Sequence, residues 1–204
     1  MWSVILKKYK IIVLFCVAGG MMFGLLSLLL PKQYSAESQL YVMTDGRGGM
    51  AEVVSIQSVK YLTKSLKYLI TTSDFSKKVI DGPDANFDRE RWIGLDERTQ
   101  RYMWKRNVQP CLKEGTGIIR LKVYSENKAD ALVFSQAVTQ TVIQRGFEYL
   151  GEGVVVKVVS ESIVSKWPAR PCYGCNIFLG FLIGGLLSLV WIIRRHSKRH
   201  FFFN

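Results

Sequence analysis

Several residue groups have types and spacings that could do chemistry. Asp88 with Glu90, and Asp96 with Glu97, are paired carboxylates of the kind that can divide general acid and base work. They stand among Arg89, Arg91 and Arg98, which suits a solvated helix face better. His196 and His200 lie four apart, a spacing that lets two imidazoles share a metal on one helix face. No carboxylate or cysteine accompanies them, and the surrounding Arg194, Arg195, Lys198 and Arg199 oppose a cation, so they read as phospholipid-facing charge. Cys172 and Cys175 form a C-x-x-C that fits a redox pair, a local disulfide or two buried thiols, and only the first needs thioredoxin-like surroundings, which are absent. Gly115-Thr116-Gly117 is followed by Ile118, with no Lys and hydroxyl pair to meet a phosphate and its metal. The sequence therefore predicts no catalytic residue, no cofactor site and no metal site.

Binding chemistry is better represented. Between Glu90 and Arg106 stand Arg91, Trp92, Arg98, Arg101, Tyr102, Trp104, Lys105 and Arg106. Aromatic faces stack on sugar rings and guanidinium groups meet acidic sugars bidentately, so Arg91, Trp92, Arg98, Arg101 and Trp104 are candidate glycan contacts. The same residues also fit a third helix over Glu90–Trp104, with Trp92 and Leu95 turned inward and the arginines solubilising it.

Two uncharged apolar runs frame the chain. Ile11 to Leu30 follows Lys7, Lys8 and Lys10 and stops at Pro31; Cys175 to Ile193 is closed by Arg194, Arg195, Lys198 and Arg199. Each approaches the ~20 residues that a helix needs to cross ~30 Å of hydrocarbon. The first could also be a signal peptide, but it is longer than a usual apolar core and Leu28-Leu29-Leu30-Pro31 lacks a small-x-small cleavage pattern. Gly20 with Gly24, and Gly180 with Gly184, each form G-x-x-x-G, which allows close helix packing within one protomer or between protomers.

Net charge is +12, yet both short flanks are purely basic and all 16 acidic residues lie between the runs. This points to anchors facing a lipid bilayer and not to nucleic acid. The expected order is a cytoplasmic N-terminus (1–10), a first span (11–30), an extracytoplasmic domain (31–173), a second span (174–193) and a basic cytoplasmic tail (194–204), with both termini cytoplasmic.

Within the outer segment, Gln33–Met43 alternates as a strand, with Tyr34, Ala36, Leu40 and Val42 on one face. Ser55–Ile70 repeats apolar residues at helical steps, with Lys60, Lys64 and Lys67 on the other side. Ser73 is the expected N-cap of a shorter helix ending at Ile80. A strand after Asn107 and Ile118–Tyr124 form an expected hairpin, with Ile119, Leu121 and Val123 on one face. Asn127 caps an expected long helix, Lys128–Leu150, with two apolar faces. Ala131, Phe134, Val138, Val142 and Tyr149 form one; Leu132, Ile143, Phe147 and Leu150 form the other, set under the first helix or against a second copy. The strand Val154–Val159 then leads through a linker with Pro168 and Pro171 into the second span, and should lie beside the strand that left the first. The fold class is a membrane protein with two transmembrane helices flanking an α+β domain.

Tyr34–Val42 directly after the first span, Thr116-Gly117-Ile118-Ile119-Arg120-Leu121, the helix start Ala129-Asp130-Ala131, and Val154–Val159 with the proline linker and glycine-bearing span together resemble the Wzz-type chain-length determinant, or polysaccharide co-polymerase, family. The likeness covers both ends and the middle, Gly46 to Val108, only by layout. The outer domain is short beside long-helix members, and the linker has fewer prolines. The resemblance implies a non-catalytic homo-oligomer in the inner membrane that sets the length of a lipopolysaccharide O-antigen, capsule or exopolysaccharide made by a separate membrane polymerase. Some members are fused to, or work with, a cytoplasmic tyrosine autokinase. Without a phosphate loop, or a tyrosine from Arg194 to Asn204, this chain is not itself such a kinase. An adaptor that activates a separate autokinase through the basic tail is the alternative, and an unrelated anchor whose outer domain binds a protein is a third reading.

Overall fold

The computed structural model describes the backbone of residues 9–44, 56–83, 86–113, 115–151 and 153–201, and their side chains apart from Thr44, 56–58 and 195–201. In chain order the elements are α1 (Tyr9–Leu28), β1 (Tyr34–Thr44), α2 (Ile56–Ile70), α3 (Ser73–Ile80), α4 (Glu97–Asn107), β2 (Val108–Lys113), β3 (Ile118–Ser125), α5 (Lys128–Arg145), the single turn α6 (Phe147–Leu150), β4 (Val154–Val164) and α7 (Tyr173–Phe201). They fall into two compact units, residues 33–169 and residues 1–32 with 170–204.

The first unit is α+β. Its sheet is antiparallel, with strand order β2-β3-β1-β4. Alternation decides its two faces. Ala36 lies opposite Val123, Ser38 opposite Leu121 and Leu40 opposite Ile119, and all six are fully buried. The expected apolar faces of β1 and β3 are thus the observed ones, with Tyr34 half-buried at the end. Helix α5 lies across this face and meets β1, β3 and β4. Two serine and threonine pairs satisfy polar groups at that contact: Ser38 Oγ with Thr139 Oγ1, and Ser135 Oγ with Ser162 Oγ, each at 2.9 Å. On the opposite face Glu37 holds Arg120 at 2.9 Å and Lys122 at 3.4 Å, a polar surface as antiparallel sheets allow.

The β2–β3 hairpin turns through Gly115–Gly117. Gly117 has φ +68°, and a β-carbon there would come within 2.8 Å of Val59 on α2, so two independent reasons require glycine. Helix α5 begins as expected, with Asn127 Oδ1 accepting from Ala129 N at 3.2 Å. It does not run to Leu150: it stops at Arg145, and the turn α6 follows before Gly151 at φ +92°. Ala131, Phe134, Val138 and Val142 are buried, whereas Leu132 and Ile143 are half-buried and Phe147 is exposed. Helix α2 meets this region through α6.

Further boundaries differ from expectation, and β4 runs on to Val164 where the expected strand ends at Val159. Thr72, not Ser73, caps α3, its hydroxyl accepting from Phe75 N. The third helix starts at Glu97 and not at Glu90, because Gly94 takes φ +81° and Asp96 then serves as N-cap for α4. The preceding loop is pinned instead: Arg89 donates to Gly82 O at 2.7 Å and Asp88 N donates to Asp130 Oδ1 at 2.8 Å. Its Phe87 and Trp92 enter the core, while Leu95 stays half-buried.

That core centres on Trp104. Its ring meets Trp92, Phe75 and Phe134 edge-on or tilted, with centroids 5.6, 6.4 and 5.7 Å away. Its indole N–H donates to Ile70 O at 2.8 Å, satisfying a carbonyl at the end of α2.

An ionic cluster joins α3 to α6. Lys78 Nζ lies 2.7 Å from Glu148, 3.4 Å from Asp74 and 4.3 Å from the centre of the Tyr149 ring, and the Tyr149 hydroxyl donates to Asp74. That hydroxyl holds the Asp74 carboxyl below its ordinary range; burial and then Asp74 push Tyr149 up; Glu148 and then Tyr149 push Lys78 up.

In the second unit α1 and α7 pack face to face. A β-carbon at Gly180 would come within 2.5 Å of Gly19 O, one at Gly19 would meet Gly180 O, and one at Gly184 would meet Phe15 O. The expected pair Gly180 and Gly184 is therefore at the crossing. Gly20 and Gly24 flank it, 3.5 and 3.3 Å from Ile177 atoms by the same measure, and Gly19 is the centre that the motif missed. Phe15 stacks with Trp191 at 6.2 Å, and Asn176 Nδ2 donates to Ser27 Oγ at 2.9 Å. The glycine contact lies within one chain.

Two outcomes are expected. With Asp74 held low, its contribution to stability is present above about pH 4 and is lost as pH falls through the folded value; Tyr149, held high, contributes below about pH 10 and loses it as pH rises further. Tyr149→Phe should raise the Asp74 titration midpoint, read by carboxyl NMR on the full chain, and an unmoved midpoint would refute the bond. Separately, Gly185→Cys should cross-link to the native Cys16 within a chain, because a β-carbon at Gly185 would stand 3.0 Å from the Cys16 sulfur. Adding Gly180→Leu should abolish the cross-link if the backbone approach at Gly19 is what sets the crossing.

Candidate functional site

The segment from Glu90 to Arg106 does not assemble a sugar-stacking surface. Trp92 and Trp104 are 5% and 1% exposed, their faces covered by each other and by Phe134, so no sugar ring can reach them. This corrects their reading as glycan contacts; the indole bond to Ile70 and the edge-to-face packing make them core residues. Arg91 turns away to Glu126 at 2.5 Å and Ser125 at 3.5 Å. Arg98 and Arg101 share a shallow depression of 340 Å³ with Asp96 and Glu97, where carboxylates balance the cations. Arg101 also donates to Ser73 Oγ at 2.8 Å.

The paired carboxylates are structural. Asp96 caps α4 through Arg98 N, Glu97 lies 4.0 Å from Lys77, and Asp88 sits on Asp130 through its backbone N–H. Among the described residues no three His, Cys, Asp or Glu side chains group as metal ligands. His196 and His200 lie outside the described side chains. Cys172 and Cys175 are joined as a local disulfide, one of the three readings the sequence left open. Pro168 and Pro171 stand on either side of the boundary between the two units, and Ser165 Oγ donates to Trp167 O at 2.9 Å just before them.

The surface that does gather binding groups was visible in sequence only as separate lysines. One groove of 550 Å³ runs between α2 and the β2–β3 hairpin, with Lys60, Lys64, Lys67, Lys113 and Tyr61 along it. A second, of 520 Å³, follows the β2 edge of the sheet and is lined by Lys67, Lys105, Arg120, Lys122 and Tyr124. Lys67 belongs to both, so the two adjoin, and no described carboxylate lines either. The helical stripe Lys60, Lys64, Lys67 was legible from its spacing. Its meeting with Lys105 and Lys122 depends on the packing of distant elements, which no local pattern encodes.

Residues 1–82 match the sequence model of the family described as Wzz, chain length determinant protein. The matched stretch takes in α1, β1, α2 and α3 and ends before the aromatic loop. The resemblance read from the sequence holds over that stretch. No curated protein matches the chain. Two helices, Tyr9–Leu28 and Tyr173–Arg194, are long and apolar enough to cross a membrane, which fits a membrane polysaccharide co-polymerase.

The burial pattern separates two residues that the sequence grouped. Trp104→Ala should cost about 3–5 kcal/mol by chemical denaturation of the full chain, whereas Arg101→Ala should cost under about 1 kcal/mol. Equal effects would contradict the placement of Trp104.

Proposed function

We propose that this chain is a non-catalytic, homo-oligomeric regulator of polysaccharide chain length that works beside a separate membrane polymerase. The observation that carries this reading is the Wzz match over residues 1–82, in a chain that has a second apolar helix after its α+β domain. The Wzz family acts in chain-length determination during polysaccharide biosynthesis, as a regulator and not as a catalyst. Such a role asks for a rigid, anchored surface and not for a reactive group.

In this reading α1 and Tyr173–Arg194 cross the inner membrane. Lys7, Lys8 and Lys10 at one end and Arg194, Arg195, Lys198 and Arg199 at the other stay in the cytoplasm, with residues 31–173 outside. The Cys172–Cys175 disulfide, just before the second apolar stretch, supports an oxidising outer side.

The test is the size distribution of surface polysaccharide, on a gel, from cells with and without this gene. Loss of the gene should shift the modal length while sugar composition stays constant; unchanged length and amount would sink the proposal. Deleting Arg195–Asn204 should leave most of the length control in place, because the work is assigned to the outer domain. Complete loss on that deletion would favour a cytoplasmic adaptor role.

A further inference from the structure

Building on the polysaccharide reading, we propose that the two adjoining grooves along α2 and the β2 edge form a binding site for an extended anionic polysaccharide segment. Three observations carry it. First, the cations are gathered against their own electrostatics. Lys60 and Lys64 are four apart on α2 and Lys67 three further, and like charges at those spacings repel along one helix face and weaken the helix. Among the described residues no carboxylate pairs with Lys60, Lys64, Lys67 or Lys105, whereas Arg120 and Lys122 at the far side of the second groove share Glu37, and acids elsewhere on the domain pair with Lys77, Lys78 and Arg91.

Second, the charge lines concave surfaces that adjoin. Two troughs of 550 and 520 Å³ meet at Lys67, which lines both. A flat lipid surface would be met by an outward-facing patch, whereas here the cations come from α2, the end of α4 and strands β2 and β3 around a trough. Tyr61, 73% exposed, and Tyr124 supply aromatic faces beside the cations, the combination suited to sugar rings bearing carboxylates.

Third, the β2 edge is unfit for the main competing ligand, an acidic peptide added as a strand. Pro110 lies mid-strand opposite Leu121, and a proline cannot donate to its ladder, so its nitrogen faces outward and the edge lacks a donor that an added strand would need.

The experiment measures binding of the full chain, in neutral detergent, to fluorescently labelled polygalacturonate oligosaccharide. Dextran of matched length, polyglutamate and phosphatidylglycerol vesicles serve as competitors. Polygalacturonate should bind, weaken with salt, and be displaced poorly by dextran, polyglutamate or vesicles. Lys64→Glu/Lys67→Glu/Lys105→Glu should weaken it about tenfold or more, and Lys157→Glu, which lines neither groove, should not. If the reversed variant fails to fold, the milder Lys→Gln triple at the same positions should still weaken binding. Undiminished binding by a folded triple variant overturns the site; displacement by polyglutamate or vesicles as effective as by polygalacturonate overturns the glycan assignment. The wider function fails separately: it falls if deleting the gene leaves polysaccharide length unchanged, whatever the groove binds.

Discussion

The antiparallel pairing of β1 with β4 is the constraint on which the rest of the domain depends. β1 is the strand that follows the first apolar helix and β4 the strand that precedes the second, and their ladder runs from Thr44 opposite Val154 to Ala36 opposite Val164. It continues past the strands: Ser165 N donates to Ser35 O and Ala169 N to Gln33 O, each at 2.8 Å. The first and last residues of this unit are therefore held side by side, and everything between them is an insertion into one long pairing. Loop-closure entropy grows only slowly with length, so such a distant pairing is affordable once the intervening chain has its own core. That core exists because β1 also pairs with β3, which places it inside the sheet and brings Ala36, Leu40 and Val42 under α5.

Elements with one buried face and an ordinary cap were legible in the sequence. β1 and β3 alternate strictly over buried positions, and Asn127 opens α5, where Asp130 faces Asp88 N and Ser125. β4 is legible only to Val159 because its alternation fails there: the register against β1 shifts between Leu40 and Gln39 and again between Gln39 and Glu37, so the outward and inward positions change parity. The start of α4 is less legible, because Glu90 to Leu95 has a helix-like composition. Gly94 followed by Leu95, Asp96 and Glu97 was the available signal, a glycine break and then a cap with an acid in the first turn.

The site was less legible than the fold, for a physical reason. A tryptophan among arginines has the same composition whether it stacks on a ligand or fills a core, and the difference lies in what covers it. Here the covering groups are Phe75, Phe134 and Trp92, and Ile70 O, which accepts from the Trp104 indole N–H, lies on a helix far earlier in sequence. The lysines of α2 present the converse case. Their common side is fixed by helical spacing, but Lys105 on α4 and Lys122 on β3 reach them only through the packing of distant elements. Local pattern gives the face of an element; tertiary packing decides which faces meet.

The apolar helices show the same limit at finer scale. Gly20 and Gly24 satisfy the spacing for close approach, yet the backbone contact is made by the neighbouring Gly19, about 100° around the helix. With Gly19 and Gly20 adjacent, one sequence offers two glycine faces, and the partner helix selects between them. The partner's Gly180 and Gly184 meet carbonyls at Gly19 and Phe15, so a side chain at either would be forced into backbone. In a lipid setting apolar side chains supply no net drive between helices, which leaves this close approach and the Asn176–Ser27 bond to hold the pair. With Gly19, Gly180 and Gly184 covered by this contact, an assembly of copies that keeps it would draw on the surface of residues 33–169 or on the outward faces of the two helices, where Leu14, Met21, Leu25, Phe178 and Leu186 are exposed.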